Sequence, residues 1–284
     1  MSFVEDALKF HAEHNGMLAV ASKVPLNNRE DLALAYTPGV AEPCKAIKEN
    51  KELSFEYTCR GNTVAIVSDG TRVLGLGDIG PEAAMPVMEG KAVLFKTFGD
   101  VDAIPICIDT KDPEEIIETV RRLQPTFAGI NLEDFSSPKC YEIEDRLREI
   151  CDIPVFHDDQ HGTAIACLSA VMGALRYVKK DIKDVKVVVN GCGAAGSAIG
   201  RLFVSMGFPN VIMVERVGAL YKGIDAKLDK IQRYLSEVTN PNMEKGTLAD
   251  VAKGADILVG VSVPNLFTKE IIAGMADKAI VFGL

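Results

Sequence analysis

The stretch VKVVVNGCGAAGSAIGRLF, residues 185–203, decides the fold. It opens as a continuous apolar β-run, turns through glycines, and continues as a helix of small residues. Gly191, Gly193 and Gly196 stand in G-x-G-x-x-G spacing between that strand and that helix. In this context the first glycine permits the tight turn, the second lets the backbone approach a pyrophosphate, and the third lets helix pack on strand. Ala194 and Ala195 open the helix, whose unpaired N–H groups would face the phosphates. Glu215 ends the next predicted strand, VIMVE (211–215), where a carboxylate bonds ribose hydroxyls and repels a 2′-phosphate. Glu215 therefore argues for NAD, while Arg216 beside it leaves NADP open.

Working outward, DILVGVS (256–262) and AIVF (279–282) read as further strands separated by helical patterns. Upstream, TAIACLSAVMGALRYV (163–178) is apolar on most faces and reads as a buried helix. The expected domains are 1–162 and 163–284, both α/β. In the first, the runs 63–70, 102–109, 127–135 and 153–159 read as strands, and 4–16, 29–35, 82–98, 113–123 and 138–150 as helices. Asp112, Pro113, Glu114 and Glu115 form a clear helix start. The rest of the first quarter reads as irregular.

Two of these strands run out into carboxylate pairs, Glu133-Asp134 and Asp158-Asp159. If the strands neighbour one another in a parallel sheet, their acids converge on the edge where open α/β sheets bind ligands. Three or four carboxylates held that close cannot all stay ionised without a cation. Hard oxygen donors with no paired His or Cys spacing point to Mg²⁺ or Mn²⁺ rather than zinc. His157 and His161 read as supporting or packing residues, since an oxygen site needs neither.

Composition excludes several classes of function. The 284 residues are 48% hydrophobic and 25% charged, as expected of an ordinary soluble α/β protein. Net charge is −9 with no basic block, which argues against nucleic acid. Seven cysteines without a C-x-x-C pair fit reduced thiols and a cytoplasmic location. Neither a signal peptide nor a run long enough to span a membrane is legible.

YTPGVAEPC (36–44), SDGTRVLGLGDIG (68–80), MEGKAVLFKTFG (88–99), NLEDF (131–135) and FHDDQHGTA (156–164) precede the glycine turn in that order. Together they resemble the malic enzymes of the short bacterial type over nearly the whole chain. The resemblance implies an N-terminal catalytic domain followed by a Rossmann-type dinucleotide-binding domain. It further implies metal-dependent oxidative decarboxylation of L-malate to pyruvate and CO₂ with NAD or NADP, by a homodimer. Residue by residue, it implies Tyr36 as general acid, Lys91 as general base, and Asp158 as the acid that holds the lysine. By the same resemblance Arg72 grips a substrate carboxylate, and Glu133, Asp134 and Asp159 hold Mg²⁺ or Mn²⁺.

Lys96 competes with Lys91, but five positions turn a helix by about 140°, so only one of them should face the site. Two other readings keep part of the pattern: another two-domain NAD-dependent dehydrogenase, which leaves the acids unexplained, and a non-catalytic module sensing dicarboxylate or dinucleotide. In the family, the strand matching IVFGL (280–284) runs into an Ala-Asn-Pro loop whose asparagine contacts cofactor and substrate. This sequence lacks that motif. The expectation is therefore a chain truncated at its C-terminus, with an incomplete Rossmann domain, an exposed apolar last strand and poor activity by itself.

Overall fold

The structure, a computed structural model, describes residues 2–284. It divides into two compact units, Met1–Phe135 with Ile143–Phe156, and Ser136–Glu142 with His157–Leu284.

In chain order the first unit begins with α1 (Phe3–His14), α2 (Arg29–Ala35), α3 (Ala41–Glu49) and α4 (Ser54–Tyr57). There follow β1 (Thr63–Ser68), α5 (Pro81–Gly99), β2 (Asp102–Cys107), α6 (Pro113–Leu123), β3 (Gly129–Leu132), α7 (Lys139–Ile150), whose first four residues count with the second unit, and β4 (Val155–His157), whose last residue does too. The sheet order is β2-β1-β3-β4, with β1 parallel to both β2 and β3. β1 is a β-branched run buried along nearly its whole length, as a strand covered on both faces must be. α5 buries Ala84, Met88 and Ala92 at successive turns. Met88 and Ala92 pack with Ile66 of β1 and Ala103 of β2. α6 starts where expected: Asp112 accepts from the N–H groups of Glu114 and Glu115, and Pro113 takes the first helical position.

The second unit continues with α8 (Asp158–Val178), β5 (Lys186–Asn190), α9 (Ala194–Ser205), β6 (Asn210–Glu215), β7 (Gly218–Ala219), α10 (Lys230–Val238), α11 (Leu248–Val251), β8 (Ile257–Gly260), α12 (Lys269–Ala273) and β9 (Ile280–Gly283). Its sheet order is β7-β6-β5-β8-β9, parallel except for the antiparallel β7. Val187 and Val189 of β5, Ile199 and Phe203 of α9, and Met213 of β6 form the centre of its core, joined by Val171 and Leu175 of α8. Burying each large side chain is worth roughly 1.5–3 kcal/mol, so the paired α8 and α9 anchor this face of the sheet.

The structure differs from the sequence reading in two places. Residues 41–62 are largely helical rather than irregular. α8 begins at Asp158 rather than near Thr163, so both aspartates lie in its first turn, where the helix dipole favours negative charge. No helix among the described residues is long and apolar enough to cross a membrane.

Candidate active site

In the first unit, the end of β3 delivers Glu133 and Asp134 into the interior, each only 5% exposed. The Glu133 N–H donates to Val67 O at 2.9 Å, so the β1–β3 pairing extends one residue beyond the strand. Asp134 then turns into the left-handed region at φ 58°, which aspartate tolerates better than most residues. The adjacent end of β1 leads into the SDGTR loop. Gly70, at φ +68°, lies so close to Gly80 that a Cβ would meet its carbonyl oxygen at 2.2 Å, and Thr71 Oγ1 donates to the buried Asp69 at 2.7 Å. That loop sets the Arg72 N–H against Asp134 O at 2.9 Å and leaves the Arg72 side chain exposed.

Lys91, on α5, brings its Nζ to 3.0 Å from Glu133 Oε1. The other carboxylate oxygen accepts from Asn131 Nδ2 at 2.8 Å. Lys96 faces elsewhere. Its Nζ bonds Asp100 at 2.6 Å and Asp102 at 3.0 Å, and these hydrogen bonds, Asp100 first, raise its pKa. That direction is wrong for a base. Tyr36 caps the C-terminus of α2 through its N–H to Leu32 O, and its side chain is 68% exposed.

In the second unit, Asp158 and Asp159 are partly buried in the first turn of α8. A Cβ on Gly162 would meet Asp158 Oδ1 at 2.1 Å, so glycine makes room for this carboxylate on its own helix. Asp159 Oδ2 lies 3.8 Å from Nδ1 of the fully buried His157. The glycine turn runs from β5 into α9, with Gly193 as the N-cap residue. Glu215 reaches back to it: Oε2 accepts from the Cys192 N–H at 3.2 Å and Oε1 from the Arg216 N–H at 3.1 Å. Burial, then the Glu215 charge, pushes the Cys192 thiol far up. A cavity of about 470 Å³ opens at the ends of β5, β8 and β9, lined by Asn190, Gly260, Asn265, Phe267, Gly283 and Leu284 among others.

The structure thus joins Lys91 to Glu133, joins the backbone of Arg72 to Asp134, and joins Glu215 to the glycine turn. It leaves Tyr36 at the surface. Sequence reasoning passed over Asn131, which orients Glu133; its signal was the alternation of NLE, which puts residues 131 and 133 on one side of the strand.

These features define a class: a two-unit α/β protein whose second unit is a Rossmann-type dinucleotide-binding fold and whose first gathers lysine and carboxylates at the end of a parallel sheet. The family follows from comparison with known proteins. The family model "Malic enzyme, N-terminal domain" matches residues 15–148, and "Malic enzyme, NAD binding domain" matches residues 160–284. The bifunctional malic/malolactic enzyme of Bacillus subtilis is 49% identical across the whole chain, which spans 69% of that protein. An NAD-dependent malic enzyme of Geobacillus stearothermophilus is 52% identical over 95% of the chain, which spans 56% of it. The crystal structure of an NAD-dependent malic enzyme from Thermotoga maritima matches with a TM-score of 0.94 at 47% identity, over 98% of this chain and 74% of that one. The chain belongs to the malic enzyme family.

Proposed function

We propose that the chain takes part in the oxidative decarboxylation of L-malate to pyruvate and CO₂, with NAD as the favoured hydride acceptor. The observation that carries this reading is the ion pair between Lys91 and Glu133, which puts the lysine nitrogen against a buried carboxylate in the unit matched to the malic enzyme N-terminal domain.

Glu133, Asp134 and Asp159 are the proposed ligands of a divalent ion. They can each offer one carboxylate oxygen, and this hard, all-oxygen donor set fits Mg²⁺ or Mn²⁺. When bound, the ion would polarise the malate C2 hydroxyl and the carbonyl formed from it, and a bound dinucleotide would supply the hydride acceptor. Lys91, once neutral, takes the hydroxyl proton at Nζ, with Asp158 holding the lysine, and Arg72 pairs with a malate carboxylate. Tyr36 returns a proton to C3 after CO₂ leaves.

Gly191, Gly193 and Gly196, with Ala194 and Ala195, hold the pyrophosphate at the start of α9. Glu215 bonds the adenosine ribose hydroxyls. Its present hold on the Cys192 N–H supports that role, because it keeps the carboxylate at the turn.

A homodimer in the cytoplasm completes the proposal. Neither α1 nor α2 buries a single residue, and Phe3, Leu8, Leu32 and Leu34 are exposed, which suits a surface that a second copy covers. All seven cysteines are free.

The test is to supply malate and Mn²⁺ with NAD or with NADP, following reduced cofactor and pyruvate together. Equal formation of both products, abolished by excess chelator, is expected. Cofactor reduction without pyruvate, or full activity in chelator, would overturn the reading.

A further inference from the structure

Ser197 and Arg201 stand four residues apart on α9, and so on one face of it. Ser197 is completely buried; its Oγ donates to Cys192 O of the glycine turn at 2.8 Å and accepts from the Tyr141 hydroxyl at 3.4 Å. Tyr141 is itself buried. It belongs to residues 136–142, which follow Glu133 and Asp134 almost at once in the chain yet form part of the second unit. One turn further along α9, Arg201 Nη2 donates to Gln160 Oε1 at 3.1 Å. Gln160 is completely buried and is the residue after Asp159.

One face of the dinucleotide helix therefore grips both chain segments that follow the carboxylate pairs. Neither grip is needed to make the helix, whose interior is filled by Ala198, Ile199 and Phe203. Arg201 also keeps its Nε buried without a hydrogen-bond partner among the described residues, a cost that simple packing would have removed by an apolar side chain.

We propose that Ser197 and Arg201 are positioning residues that couple dinucleotide binding to divalent-metal binding, Ser197 through Tyr141 and Arg201 through Gln160. The inference rests on the reading of Glu133, Asp134 and Asp159 as metal ligands and of the glycine turn as the dinucleotide site. Coupling of this kind is reciprocal: the factor by which a dinucleotide tightens the metal is the factor by which the metal tightens the dinucleotide.

The measurement is the Kd of Mn²⁺ for the full chain, by calorimetry, with and without saturating NADH, and the Kd of NADH with and without Mn²⁺. Binding couplings between sites typically run from about 5- to 150-fold, so a ratio of at least about fivefold is expected in both directions. Tyr141→Phe, which removes only a hydroxyl, and Arg201→Met should each lower the ratio, and the double variant should bring it within about twofold of unity. Arg201→Lys, which keeps a donor, should restore part of it; a purely structural role would not separate Lys from Met. Thermal unfolding of each variant checks that the chain is folded. A native ratio of unity, or variants that retain the native ratio, would overturn the inference alone. Failure of the native chain to bind Mn²⁺ or NADH would overturn the functional reading and the inference with it.

Discussion

Alanine at Gly193 and alanine at Gly196 should fail in opposite ways. Gly193 has φ −74°, open to any residue, and a Cβ built on it meets nothing within 4 Å. Alanine is worse than glycine at a helix N-cap by roughly 0.5–1 kcal/mol, but it also restricts the unfolded chain, which is worth about 0.4–1 kcal/mol in the other direction. The two nearly cancel, so Tm should move by no more than about 2 °C. The open space beside Gly193 is where the pyrophosphate backbone would approach. A methyl group there costs the bound state about 1–3 kcal/mol of overpacking, which is roughly a 5- to 150-fold rise in the Kd of NADH.

Gly196 is different. Its added Cβ would lie 1.8 Å from Gly191 O and 3.0 Å from Val261 Cγ2, so the turn itself must give way. Here about 1–3 kcal/mol or more is lost from the folded protein, and Tm should fall by several degrees. NADH fluorescence titration and thermal unfolding, run on both variants, separate the two effects. Native NADH affinity in Gly193→Ala would refute the pyrophosphate assignment. Native Tm in Gly196→Ala would refute the close packing of turn and helix.

Lys91→Ala should lower malate oxidation by about 10²–10⁴-fold while NADH binding stays within about twofold of native, whereas Lys96→Ala, which breaks only an exposed pairing, should leave turnover near normal; steady-state rates with an NADH titration decide, and reversed effects would move the base to Lys96. Glu215→Ala should weaken NAD more than NADP, read as the change in the ratio of their kcat/KM values, and equal losses would remove Glu215 from the ribose. Burial raises the Cys167 thiol to about 11 and the Cys192 thiol further; a raised pKa leaves less thiolate, about one part in a thousand for Cys167 at pH 8. A thiol reagent at that pH should therefore label the exposed Cys44 and Cys59 quickly and spare these two, as mass spectrometry of the labelled peptides would show.

Local signals made some elements legible and tertiary ones hid others. α2 and α6 match their sequence reading because each carries its own start: Asn28 accepts from two N–H groups, and Asp112 does the same ahead of Pro113. α3 forms in a stretch that reads as irregular, and Pro43 does not prevent it, because a proline in the first turn removes only a donor that has no partner there. The run 127–135 is longer than its strand, Gly129–Leu132, because Phe127 and Ala128 are already apolar ahead of the strand and Phe135 is apolar again after the two acids. The start of α8 was hidden for a physical reason. Gly162 resembles a helix breaker, and the aspartates resemble a strand end, until the structure shows the glycine making room for Asp158. Of the candidate site, the types and order of the residues were legible. The partners of Lys91 and Glu215 were not, since a hydrogen bond across many residues leaves no periodic trace.

The topology gives one reason why both sets of residues fall where they do. In the first sheet the chain runs from β1 through α5 to β2 on one side and later returns as β3 on the other, so the ends of β1 and β3 flank a gap that no crossover covers. Asp69 to Arg72 and Glu133 to Asp134 line it. In the second sheet β5 leads through α9 to β6 on one side, and β8 is laid down on the other. Asn190 and the loop after Gly260 stand at the equivalent strand ends and line the 470 Å³ cavity, together with the end of β9. Such reversals of strand order leave the carboxyl ends of parallel strands open to a ligand. Polar residues can be sequestered there without interrupting either core, which is why carboxylates and glycines stand at the ends of strands that are otherwise continuously apolar.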